Sequence, residues 1–154
     1  MNSQLQEFFT RLNAERNTMR EFVALLEKEQ QILLNQDAEK LLALAEAKTT
    51  FANKLSLIAS TRRQFLSAQG VTADPAAWIA KHVPPAVPVW KELRDLAARA
   101  DHLNHTNGEV IQLRLRSNQQ ALNALMVATR STSNLYGKDG QHSIAIGGRS
   151  LGSG

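Results

Sequence analysis

The sequence predicts an all-α protein: an elongated antiparallel helical hairpin, a third long helix and a disordered C-terminal tail. Two observations carry this reading. All four prolines (Pro75, Pro84, Pro85, Pro88) fall in one short stretch, and six of the eight glycines lie after Tyr136, leaving only Gly70 and Gly108 elsewhere. Since Pro and Gly are the strongest helix breakers, the chain before Gly70 and from about Pro88 to Leu135 is free to be helical, and the last 19 or so residues are not. Within those free stretches, apolar residues recur three and four positions apart, the period of one helix face. This defines one domain over 1–135, with a Pro-rich connector at 71–88 and a flexible Gly-rich tail at 136–154.

The first helix carries Leu5, Phe9, Leu12, Met19, Val23, Leu26 and Leu33, a seam interrupted by Arg16 and Gln30. A second line, Phe8, Phe22, Leu25 and Ile32, widens the apolar face beyond what one partner helix covers. The helix should end near Asn35-Gln36-Asp37, where Asp37 is placed to cap the next helix.

The second helix reads Leu41, Leu44, Lys48, Phe51, Leu55, Ile58, Arg62 and Phe65, flanked by Ala45, Ala52 and Ala59, and stops at Gly70. Two helices of about 30 residues joined by a short turn make a hairpin about 45 Å long. Asp74-Pro75 predicts a brief helix with Trp78 and Ile79, ended by Pro84-Pro85.

A third helix is expected from near Pro88 toward Thr132. Its first stripe is Leu93, Leu96, Ala97, Ala100 and Leu103. Beyond Gly108, the residues Val110, Ile111, Leu113, Leu115, Ala121, Leu122, Leu125, Met126 and Val127 point in several directions, more than one packed face requires. Either this half presents apolar surface to a partner, or the short Trp78 helix or a second copy in a weak homodimer covers it. Asn107 continues the seam from Leu93 and Ala100 in steps of seven, as a buried polar residue that sets register. With Asn104 and Gly108 it forms a polar seam at which the helix kinks, crosses a neighbour closely or breaks.

Little in the sequence points to catalysis. Zero cysteines exclude a disulfide framework, a thiolate metal site and a cysteine nucleophile. His102 and His105, beside Asp101, share a helix face but lack a third ligand at helical spacing, which favours solvent-facing histidines over a metal site. Serine-nucleophile motifs and phosphate-binding loops are missing, so neither an enzyme nor a cofactor is expected. The N-terminus lacks the apolar core of a secretion signal, and no run is long and apolar enough to span a bilayer, so a cytoplasmic protein without membrane insertion is expected.

The net charge of +4 and a pI near 9.8 invite a nucleic-acid reading. Located along the chain, the charge is diffuse: residues 1–37 hold 4 basic and 6 acidic side chains, 38–70 hold 5 and 2, 71–135 hold 7 and 5, and 136–154 hold 2 and 1. Arg62-Arg63 and Arg114-x-Arg116 are the densest groups, and neither carries interleaved aromatics, so no nucleic-acid partner is expected. Tyr136, the only tyrosine, stands beyond the helices among turn residues, where it either folds back on the bundle or anchors a partner.

The run Asn104-His105-Thr106-Asn107-Gly108, then Asn118-Gln119-Gln120-Ala121-Leu122, then Leu135-Tyr136-Gly137-x-x-Gly140-Gln141 resembles the C-terminal half of the flagellar export chaperone family FlgN. Glu29-Gln30-Gln31 and Arg62-Arg63 resemble its N-terminal hairpin; the Pro-rich segment with Trp78 has no counterpart in the pattern. The resemblance implies a cytoplasmic, non-enzymatic chaperone. It would bind the hook–filament junction proteins FlgK and FlgL, prevent their premature association and deliver them to the type III export gate component FlhA. It further implies client contact at Val110, Ile111, Leu115, Leu122 and Leu125, and gate docking through Leu135, Tyr136 and Gly137. A structural coiled-coil protein that self-assembles through its apolar helix face is the alternative.

Overall fold

The computed structural model describes residues 1–35, 37–114 and 120–135. It comprises five α-helices: α1 (Ser3–Asn35), α2 (Ala38–Ala68), α3 (Ala76–His82), α4 (Val87–Arg114) and α5 (Gln120–Ser133), with a single 3-10 turn at Pro84–Ala86 leading into α4. Among the described residues there is no strand.

The hairpin of α1 and α2 follows the apolar seams. Phe8, Leu12, Met19, Phe22, Val23, Leu26, Ile32 and Leu33 are buried on α1, and Leu41, Leu44, Ala45, Ala52, Leu55, Ala59 and Leu66 on α2. Asp37 occupies the position before α2 but makes no capping bond; its carboxylate lies 3.4 Å from Lys40 Nζ instead, which corrects the expected cap. The far end of α2 closes as the glycine predicts. Gly70 takes φ +83°, Gly70 N–H donates to Ser67 O and Val71 N–H to Leu66 O, the paired bonds of a left-handed helix terminus.

Asp74 caps the start of α3, its Oδ1 accepting from Ala76 N–H at 3.0 Å. This short helix plugs the end of the hairpin: Ile79, Val83 and Ala86 are buried, and Trp78 packs edge-on against Phe8 and Phe65 with ring centroids 5.6 and 5.9 Å away. The connector therefore continues the core across the bundle end.

The expected third helix is two helices. The chain does not break at Gly108; α4 runs through it to Arg114, and α5 returns antiparallel, with Asn104 of α4 bonded to Thr129 of α5 and Ile111 in one cluster with Leu122 and Leu125. The return is driven by burial. Leu122, Leu125 and Met126 join Ile32, Leu33, Leu41, Leu44, Ala45 and Ile111 in a second core cluster, apolar area that a straight helix would leave in water. The architecture is a four-helix bundle in which α1 packs on α2 and α4, and α5 packs on α2 and α4. Helix α1 runs parallel to α4, aligned by Arg16–Glu92 (3.0 Å), Arg20–Glu92 and Glu27–Arg99 (3.1 Å). The connector through α3 thus crosses the diagonal from α2 to α4. At about 1.5 Å per residue, α5 with its 14 residues spans about half the length of α2 or α4.

Candidate functional site

The surplus apolar residues of the C-terminal half are mostly not surface. Ile111 and Leu125 are fully buried and Leu122 is 2% exposed, each held in the cluster between α2, α4 and α5. Val110 is half-buried against the same cluster, while Leu113 at 82% and Val127 at 55% remain exposed. The physical reason is the antiparallel return of α5, which the helical period alone does not reveal. Leu115, Tyr136 and Gly137 lie outside the described residues; Leu135 is buried and packs against the first core cluster. His102 and His105 are exposed, with His105 Nε2 3.4 Å from Glu109 Oε1. Among the described residues no group of three or more metal-ligating side chains comes together.

The polar seam is the centre of the four-helix half. Asn107 Nδ2 donates to Leu26 O at 3.0 Å and to Glu29 Oε1 at 2.8 Å. Glu29 also accepts from Lys48 Nζ at 3.2 and 3.1 Å through its two oxygens, and both side chains are completely buried. Lys48 Nζ donates a further bond to Thr129 Oγ1 at 2.7 Å, and that hydroxyl donates to Leu125 O. One residue from each of α1, α2, α4 and α5 meets at this point. Burial pushes the Lys48 ammonium below its ordinary value, with the Glu29 carboxylate opposing the shift through charge and hydrogen bonding.

Beside this network α4 and α5 cross closely. Asn104 Nδ2 donates to Thr129 O at 2.9 Å, and a Cβ at Gly108 would lie only 3.1 Å from Thr129 Cγ2. Gly108 is therefore the close-crossing residue, its missing side chain leaving room for Thr129. Asn104 Oδ1, on a residue 2% exposed, finds no donor among the described residues.

A second buried ion pair lies nearer α3. Arg62 Nε and Nη2 grip Glu15 at 2.9 and 3.2 Å, and the guanidinium stands 5.1 Å from the Trp90 ring. Neither Glu15 nor Glu29 stands out in an apolar-period reading, because both fall between seam leucines. The available signal is the cations: Lys48 and Arg62 sit in the α2 seam, and a buried cation requires an anion on the facing helix.

Glu29 and Lys48 are sealed inside the bundle and bonded to each other, to Asn107 and to Thr129, whereas Glu15 and Arg62 pair at the edge of an open groove. No described helix is long and apolar enough to cross a membrane. A groove of about 550 Å³ on the outer side of the hairpin, floored by Phe8, Leu12, Ile58 and Phe65, holds only Glu7, Arg11, Glu15 and Arg62 as charged groups. No curated protein and no solved structure matches the chain. The family model described as FlgN protein matches residues 1–144, spanning both hairpins of the bundle, and the chain therefore belongs to the FlgN family of flagellar chaperones.

Proposed function

We propose that this protein is a cytoplasmic, non-enzymatic chaperone that binds the hook–filament junction proteins FlgK and FlgL and delivers them to the export gate component FlhA. Family membership supports the general role in flagellar assembly and export. The observation that carries the finer reading is the amphipathic α5, whose inner face (Leu122, Leu125, Met126) is apolar and whose outer residues Asn123, Val127, Arg130 and Ser131 face solvent. A surface built to seat one amphipathic helix suits an exported client that exposes helices of the same kind.

Client contact falls on the α4–α5 region, at Val110, Ile111, Leu115, Leu122 and Leu125, while Leu135, Tyr136 and Gly137 dock at the gate. The two functions then occupy successive parts of the C-terminal third. Co-expression with FlgK, followed by size-exclusion chromatography with light scattering, tests the reading. A one-to-one complex is expected. Stable high-order oligomers of this chain alone, with no FlgK retained, would overturn it in favour of a self-assembling coiled-coil protein.

A further inference from the structure

We infer that α5 is an intramolecular placeholder: the channel it fills between α2 and α4 is the docking site for an amphipathic helix of the client, which displaces α5. This inference rests on the chaperone reading: of the contact residues proposed above, Val110 and Ile111 stay in the opened channel, while Leu122 and Leu125 leave it with α5 and present their freed apolar face to the client.

Three features of the α5 seat support it. The first is composition. The inner face of α5 divides into an apolar half, Leu122, Leu125 and Met126, and a hydroxyl half, Thr129 and Thr132. Both hydroxyls already bond inside α5, Thr129 Oγ1 to Leu125 O and Thr132 Oγ1 to Ala128 O. Those bonds leave with the helix, so among the described residues the side-chain bonds lost across the interface are Lys48–Thr129 and Asn104–Thr129.

The second is an unmet acceptor. Asn104 Oδ1 is buried against α5 and receives no donor among the described residues. An incoming helix with an amide or hydroxyl donor at the level of Thr129 makes a bond in the channel that α5 does not make. A ligand displaces a competitor only through such differential contact.

The third is length. Helix α5 has 14 residues, against 31 in α2 and 28 in α4. A longer client helix gains burial along the channel beyond Ser133, where among the described residues Leu135 enters the core and Ala97 on α4 stays half-buried. The client chemistry follows from the seat: a helix of more than 14 residues with large aliphatic side chains at i, i+3 and i+4, and a small hydrogen-bonding residue at i+7.

The native chain contains no cysteine, so one engineered pair forms one defined disulfide. Gly108→Cys with Thr129→Cys is that pair, because a Cβ at 108 lies 3.1 Å from Thr129 Cγ2, a position that a cysteine sulfur at 129 can take. Oxidation locks α5 in its seat, and reduction releases it. The complementary variant is Leu122→Glu, which puts a charge in the apolar cluster and unseats α5 while leaving the α1–α2–α4 packing in place. The probe is a fluorescently labelled peptide with the α5 sequence, Gln120–Ser133, followed by anisotropy.

The Leu122→Glu chain should take up the peptide at least about tenfold more tightly than the native chain, since its channel is already vacated. The oxidised lock should show no uptake, and reduction should restore it to at least the native level, because the reduced pair also lacks the Lys48–Thr129 bond. Equal uptake by locked and reduced chains, or no uptake by the Leu122→Glu chain, overturns the placeholder. So does a concentration-dependent dimer of Leu122→Glu that excludes the peptide, which assigns the channel to a second copy. The chaperone reading fails separately, if neither locked nor reduced chain retains FlgK; if both retain it equally, only the placeholder falls.

Discussion

Replacing Lys48 with methionine removes the cation from a pair in which neither side chain touches solvent. Methionine fills much of the volume, so the cost is electrostatic rather than a cavity. Glu29 keeps the bond from Asn107 Nδ2, and Thr129 Oγ1 loses the ammonium. Breaking a buried pair from one side costs about 3–5 kcal/mol, because the surviving charge is stranded. At about 2–4 °C per kcal/mol for a chain of this size, the melting midpoint should fall by roughly 6–20 °C. Urea denaturation followed by far-UV circular dichroism measures the loss. The decisive comparison is Lys48→Met with Glu29→Gln, which keeps an acceptor for Asn107 and removes the stranded charge; it should recover at least about 2 kcal/mol of the single-variant loss. If the two substitutions simply add, Lys48 and Glu29 are not coupled and the account of the core is wrong.

Other expectations follow from the same geometry. The folded state depresses the Lys48 pKa below its ordinary 10.5, so in the window between the depressed value and 10.5 the unfolded chain binds more protons. Stability from this residue therefore rises with pH across that window and is lost as pH falls back through it. The difference in melting midpoint between the native chain and Lys48→Met should change in that direction between pH 8 and the upper end of the window, and a flat difference refutes it. At Gly108, alanine gains about 1 kcal/mol of helix propensity but crowds Thr129, leaving a near-neutral urea midpoint. Gly108→Leu overpacks the crossing and should cost about 1–3 kcal/mol, and a leucine variant as stable as the parent would show that α5 sits elsewhere. Tyr136→Ala should weaken binding to FlhA about tenfold; calorimetry showing an equal loss of FlgK affinity would mean that the client and gate sites are not separate.

The hairpin was legible because two long breaker-free stretches carry helical apolar periods, and the Gly70 terminus because a left-handed position favours glycine. The turn between α4 and α5 was not. Residues 109–132 contain neither Gly nor Pro, so local propensity favours one helix, and only the tertiary burial of Leu122, Leu125 and Met126 reverses the chain. For the same reason Leu122 reads as exposed surplus in the sequence although it is core. Asn107 was legible through its seven-residue spacing and Lys48 through its place in the α2 seam, whereas their partner Glu29 was not, because a period counts apolar positions and passes over the charges between them. Thr129 resembles any helical threonine until the fold brings Lys48, Asn104 and Gly108 against it.

The two buried ion pairs also decide how the hairpin zips. Glu15 and Glu29 are two heptads apart on α1, as are Lys48 and Arg62 on α2, and the facing pairs 15–62 and 29–48 have the same residue-number sum. Sliding one helix past the other by a single heptad sets Glu29 against Leu41 or Leu55, Arg62 against Phe8 or Phe22, and Lys48 in one direction against Phe22. Other apolar positions still meet one another, Met19 facing Phe65 or Phe51 and Leu26 facing Ile58 or Leu44, so these contacts alone hardly distinguish the three alignments. The misaligned forms instead bury unpaired charges, each costing several kcal/mol. Four ionised side chains thus act as a vernier, selecting one alignment from a set that the leucines treat as nearly equivalent.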